Sequence, residues 1–107
     1  MLDTSLWKAQ HTAMPNEIRV ENNEKAHRFQ TEIDGWRAFI QYRKNAGQIV
    51  YLHTEVPEAL EGQGIGSRLA KAALEYARDH HLKVVPLCPF VAAYIRRHAE
   101  YAELVES

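Results

Sequence analysis

The sequence predicts an α+β fold. The prediction rests on a series of short segments with a two-residue apolar period, a later segment with a helical period, and a glycine-rich bend joining the two. Successive strand side chains point to opposite faces, whereas helix neighbours recur three and four positions apart, so the two periods separate the element types. The expected order is an antiparallel four-strand meander, a helix, a splayed fifth strand and a C-terminal helix. A chain of 107 residues suits one hydrophobic core and not two, so residues 1–107 are expected to form a single domain.

Residues 1–16 show no sustained period and contain Pro15-Asn16, so they are expected to form a flexible arm whose order depends on what it docks against. From Glu17, EIRV is the first strand candidate. HRFQTEI then sets Phe29, Thr31 and Ile33 against Arg28, Gln30 and Glu32, and Asp34-Gly35 fits the two-residue turn of a hairpin. WRAFIQYR puts Trp36, Ala38, Ile40 and Tyr42 on one face, and Asn45-Ala46-Gly47 reverses the chain again. In QIVYLHTEV, strict alternation places Val50, Leu52, Thr54 and Val56 on one face and Tyr51, His53 and Glu55 on the other. Ile65, Leu69, Ala72, Ala73 and Tyr76 fall at helical spacing, with a helix end expected near His80. KVVPL is a short strand whose Pro86 cannot donate a ladder hydrogen bond, which makes it an edge or a splay. Pro89 suits the first turn of a last helix, and Cys88 then takes the N-cap.

Composition narrows the function classes. Lys+Arg 13 against Asp+Glu 14 leaves a formal net charge of -1, which gives no general attraction to nucleic acid or anionic lipid. No stretch approaches the ~20 apolar residues of a membrane span and the opening lacks a signal-peptide pattern, so the expected setting is cytoplasmic, with no membrane partner. One cysteine, Cys88, excludes an internal disulfide and a multi-cysteine zinc site, and no histidines pair at metal-ligand spacing, so no metal is expected. The oligomeric state is not indicated.

The 5 glycines of the chain are unevenly spent, with Gly62, Gly64 and Gly66 inside EGQGIG. A strand that stops at Val56-Pro57 and bends through these residues into a helix leaves unpaired N–H groups at the positive end of a helix dipole, an arrangement suited to an anion. A tight strand-to-helix connection with no ligand accounts for the glycines equally well. GxxxxGK[ST] does not match, because Gly62 and Gly66 are one residue too close and Ser67 stands where lysine is required. GxGxxG opening a parallel unit does not match either, since GxGxG here follows a meander.

The stretch VPEALEGQGIGSRLAKAALEYA resembles the acyl-CoA-binding motif of the GNAT N-acetyltransferase superfamily. HTEVPEALEGQGIGSRL followed by CPFVAAYIRRHAEY is similar to a small single-domain GNAT-like group, over roughly residues 17–105. The resemblance implies an acetyl-CoA-dependent N-acyltransferase with acetyl-CoA or coenzyme A as the acyl donor's carrier and a primary amine, on a small molecule or a protein, as acceptor. The alternative is a catalytically silent CoA-binding sensor or interaction module. Two departures stand out: Glu61 occupies the first position of the usual [RQ]xxGx[GA] turn and is expected to point into solvent, and the chain ends soon after Tyr101, before the last strands of a longer GNAT.

Acetyl transfer to an amine needs an orienting cradle, removal of a proton from the ammonium and polarisation of the thioester carbonyl. By resemblance, backbone groups near Val56 hold the pantetheine arm, and Gly62, Gln63, Gly64, Ile65, Gly66 and Ser67 take the pyrophosphate. Cys88 matches the cysteine regarded as catalytic in the group, and a thiolate at a helix N-cap is favoured by the dipole, as base or acyl acceptor. A lone cysteine at the end of an apolar strand is equally a small buried hydrophobe. His53 on the fourth strand is the second catalytic candidate, as a general base. Tyr94, one turn into the last helix, is either a proton donor to the departing thiolate or a core aromatic.

Overall fold

A computed structural model describes residues 18–106. The arm expected over residues 1–16 lies outside the described residues. Five strands form one sheet in the order β1-β2-β3-β4-β5: β1 (Glu21–Asn23), β2 (Arg28–Ile33), β3 (Trp36–Asn45), β4 (Gln48–Glu55) and β5 (Lys83–Pro86). The first four pair antiparallel, as the meander requires, and β5 pairs parallel with β4. Helix α1 (Ile65–Asp79) is the crossover that a parallel pair demands, and α2 (Pro89–Arg97) follows β5. Among the described residues no helix is long and apolar enough to cross a membrane.

Local chemistry explains most boundaries. Asp34 and Gly35 have φ of 54° and 82°, the doubly left-handed turn that joins β2 to β3 with the correct twist. The first strand, however, is Glu21–Asn23 and not EIRV. Side-chain amides decide this: Asn22 Oδ1 accepts a 2.7 Å hydrogen bond from the Tyr42 hydroxyl, and Asn23 Oδ1 accepts one from the Ala26 N–H, which closes the turn into β2. Asn is a poor strand former by propensity, and here tertiary hydrogen bonds override it.

Phe29 and Thr31 on β2, and Ala38, Ile40 and Tyr42 on β3, are buried on one face as their alternation predicts. Trp36 departs from that set and is half exposed at the end of its strand. The face reading of β4 also needs correction. Gln41 pairs with His53 and Tyr42 with Tyr51, so Leu52 is an extra residue and the strand carries a β-bulge. The bulge reverses the alternation beyond it. Ile49 and Tyr51 share the core face with Thr54, which pairs with core-facing Ile40, while His53 and Glu55 pair with Gln41 and Phe39 on the opposite face.

Both helices cover the core face. The buried stripe of α1 contains Ile65, Leu69, Ala70, Ala73, Leu74 and Ala77, while Ala72 and Tyr76 of the expected face are only half-buried, because one side of the helix meets the sheet and the other meets α2. Fully burying each Leu or Ile stabilises by about 1.5–3 kcal/mol, whereas the alanines let the helix approach closely. The Tyr51 hydroxyl donates to the Ala73 carbonyl at 2.6 Å and ties β4 to the middle of α1. Helix α1 ends in a Schellman arrangement: His81 N–H donates to the Arg78 carbonyl and Leu82 N–H to the Ala77 carbonyl. His81 holds φ at 56°, a left-handed conformation that favours glycine. His81→Gly is therefore expected to stabilise the fold by about 0.5–1 kcal/mol, read as a rise of a few degrees in Tm.

The core is rich in tyrosine, and Tyr51, Tyr42, Tyr94 and Tyr101 all have phenols shifted upward, foremost by burial. Tyr101 is pushed up to about 12 from 10.0, with a hydrogen bond to the Glu75 carboxylate adding to burial. A folded-state value above the unfolded one means that this stability is complete below the unfolded value and is lost as pH rises through the folded one. Urea midpoints are expected to fall between about pH 10 and about pH 12, with little change from about pH 8 to about pH 9.

Candidate active site

Strands β4 and β5 part company beside the N-terminus of α1. Their register runs from Gln48 with Lys83 to Tyr51 with Pro86 and stops there, while β4 continues to Glu55. Pro86 lacks the N–H that would extend the ladder, so the splay read from its position is observed. Cys88 N–H donates to the Tyr51 carbonyl at 2.9 Å, which pins the chain just after the parting. On its far side β5 is partly covered, through a bridge between Val84 and Val105 and a hydrogen bond from Glu106 N–H to the Val84 carbonyl.

A groove of about 540 Å³ lies at this opening, lined by Thr54, Glu55 and Val56 from β4 and its continuation, the Glu61–Ser67 bend, and Phe90 from α2. Three-ten residues Glu58–Leu60 lead into the bend, and Leu60 is buried beneath it. Glu61 N–H donates to the Glu58 carbonyl and Arg68 N–H to the Gly64 carbonyl. Between these two bonds, the N–H groups of residues 62 to 67 donate to no backbone carbonyl among the described residues. Those of 64 to 67 are the first-turn donors that no helix can satisfy internally.

The three glycines have two different reasons. Gly62 and Gly64 sit at φ of 86° and 76°, and an added Cβ at either meets nothing within 4 Å. They supply a left-handed backbone that side chains resist, and they leave open space above the amides. Gly66 is explained by packing instead: a Cβ there would lie 2.7 Å from the tip of the Phe90 ring. The hydrogen of Gly66 makes room for α2.

Cys88 occupies the α2 N-cap, as its place before Pro89 suggests, and its side chain makes no cap hydrogen bond. Cys88 is 2% exposed and does not line the groove. Its sulphur lies 3.0 Å from the Thr54 hydroxyl oxygen. His53 stands on the opposite face of β4, exposed, with Nε2 3.2 Å from Glu55 Oε1 and its ring edge-on to Phe39. The structure therefore brings Val56, Gly62, Gly64, Ile65, Gly66 and Ser67 to one groove, with exposed Gln63 in the same bend, and does not join His53 to Cys88. Tyr94 is buried and stacked on His98, beside Tyr101. Glu61 is exposed, as expected, at the groove's rim. Sequence reasoning missed Thr54 and Phe90 as groove residues. The first lies two residues before Val56 on the face that alternation already assigned, and an aromatic in the first turn after Cys88-Pro89 was a legible signal for the second.

The residues present fit a pyrophosphate-bearing coenzyme: a run of amides with no backbone acceptor among the described residues, two positions cleared of side chains, and an extended strand edge left unpaired by the splay. This fold and groove define a small acetyltransferase-type domain. The chain belongs to the GCN5-related N-acetyltransferase family, whose family model matches residues 28–104. Among its relatives, Protein NATD1 of mouse and that of human are each 37% identical over 84 residues, 76% of this chain and 76% and 74% of theirs. The NMR solution structure of a GCN5-like protein from Staphylococcus aureus superposes with a TM-score of 0.66 at 29% identity, covering 83% of this chain and 88% of that one.

Proposed function

We propose that the protein is an acetyl-CoA-dependent N-acyltransferase acting on a primary amine, carried by a small molecule or a protein. The observation that carries this reading is the row of amides from 62 to 67, which donate to no backbone carbonyl among the described residues, in the bend that lines a groove opening where β4 and β5 separate. In it, the bend from Gly62 to Ser67 receives the pyrophosphate, and backbone groups at Val56 extend the sheet along the pantetheine arm. When bound, acetyl-CoA supplies a thioester whose carbonyl carbon bonds to the amine nitrogen as the C–S bond breaks and the ammonium proton leaves. Glu55, which lines the groove, is the proton acceptor on the groove side, and His53, hydrogen-bonded to it on the solvent face of β4, can take the proton onward. Cys88 contributes at the reacting end from behind the groove wall, and its burial favours direct transfer over an acetylated thiol. The reading carries a cytoplasmic setting with it.

Isothermal titration with acetyl-CoA tests the cradle, with a dissociation constant in the micromolar range expected; no heat at about millimolar ligand discards it. A panel of primary amines with free-thiol detection tests the transfer. Binding of acetyl-CoA and CoA alike, with no turnover on any amine or on water, identifies a coenzyme sensor instead.

A further inference from the structure

Two side chains meet at the reacting end of the groove, and only one of them faces it. Thr54 lines the groove, whereas Cys88, 3.0 Å behind it, is 2% exposed. The bulge at Leu52 is what turns Thr54 to this side, because Thr54 pairs with core-facing Ile40. The thiol is held from its own side by the Cys88 N–H bond to Tyr51 and by its carbonyl, which accepts from Ala92. A hydroxyl has one proton and two lone pairs, and a thiol can donate weakly. If the thiol donates to Thr54 Oγ1, the hydroxyl proton is left pointing at the groove, where a thioester oxygen or departing sulphur gains negative charge during transfer.

We infer that Thr54 is a catalytic residue for the proposed transfer, its hydroxyl being the side-chain donor presented to the reacting thioester, and that Cys88 is a positioning residue that orients this hydroxyl from behind. The inference rests on the acyltransferase reading. It differs from a nucleophilic cysteine in needing no bond to sulphur: the hydroxyl proton is shared with the developing charge and stays on oxygen, the base takes one proton from the ammonium, and the departing CoA thiolate takes the second proton that the nitrogen releases as the amide forms.

Two measurements test it. Thr54→Val keeps the shape and removes the donor, so kcat should fall about 10- to 100-fold with the coenzyme KM within about twofold, and Thr54→Ser should recover most of the rate. A fall in kcat that serine does not rescue, or no fall at all, overturns the role. Independently of turnover, Cys88 is the single cysteine of the chain, so its alkylation by iodoacetamide is read directly from intact mass. Thr54→Ala should open the groove to the thiol and speed labelling about tenfold, with saturating CoA abolishing the gain, while Thr54→Val stays as slow as the wild type. Labelling that Thr54→Ala leaves unchanged, or that CoA does not suppress, shows that Thr54 does not separate groove from thiol. A wild-type chain that binds no acetyl-CoA fails the acyltransferase reading in calorimetry, and the labelling of Thr54→Ala without coenzyme still reports on the wall. A wild type that binds without turnover overturns the catalytic role.

Discussion

Gly64→Asp is expected to weaken acetyl-CoA binding about 100-fold, while Gly64→Asn leaves it within about threefold. The pair isolates charge from shape. Gly64 holds φ at 76°, and Asn and Asp are the side chains that tolerate this region best, so both variants should fold. An added Cβ at this position meets nothing within 4 Å, and Asn and Asp have nearly the same shape, so steric effects cancel between them. The difference between them is one negative charge placed beside amides that the coenzyme's diphosphate is proposed to occupy; unscreened repulsion at ~4 Å costs about 4 kcal/mol at an effective dielectric near 20, and solvent exposure and salt bring this to the about 2.8 kcal/mol that 100-fold represents. The gap should narrow as salt is raised from about 0.05 to about 0.5 M. Equal affinities for the two variants at low salt would remove the 62–67 bend as the anion seat.

The second large effect concerns Gly66, where the same bend meets α2. Gly66→Ala is expected to destabilise the fold by about 1–3 kcal/mol, because the new methyl would sit 2.7 Å from the Phe90 ring and either the ring or the helix must yield. Phe90→Leu shortens the opposing side chain. In the double variant Gly66→Ala should cost less than about 0.5 kcal/mol beyond Phe90→Leu alone, a coupling that urea denaturation of the four proteins measures. Additive penalties would show that the ring is not what excludes a side chain at this position. The contact also spaces the N-termini of the two helices, so Gly66→Ala should disturb the groove even where the protein remains folded.

Much of this architecture was legible because its devices are local. Asp34-Gly35 can hardly do other than turn a hairpin, Pro86 stops a ladder wherever it stands, and Pro89 opens a helix for the same reason. The glycine bend was legible as a place but not in its causes. Gly64 needs its conformation and Gly66 needs its neighbour, and only the position of Phe90 across space separates the two. What the sequence hid depended on distant partners. Asn22 and Asn23 are poor strand formers by propensity, and Tyr42 and Ala26 claim their side chains only in the folded chain, so the first strand lies later than EIRV. Strict alternation through β4 assigned Tyr51 and Thr54 to opposite faces, and a bulge has no composition of its own to announce it. That one register shift also decided the site, by carrying His53 outward and Thr54 inward.

The bulge makes β4 a strand of two phases. Upstream of Leu52, odd positions such as Ile49 and Tyr51 serve the hydrophobic interior; downstream, an even position, Thr54, takes the inward role. A single supernumerary residue thereby lets one continuous strand anchor the protein's middle at one end and equip its working end at the other. It uncouples the two tasks: the inner-face pattern of the first half no longer dictates which residue types the second half must carry.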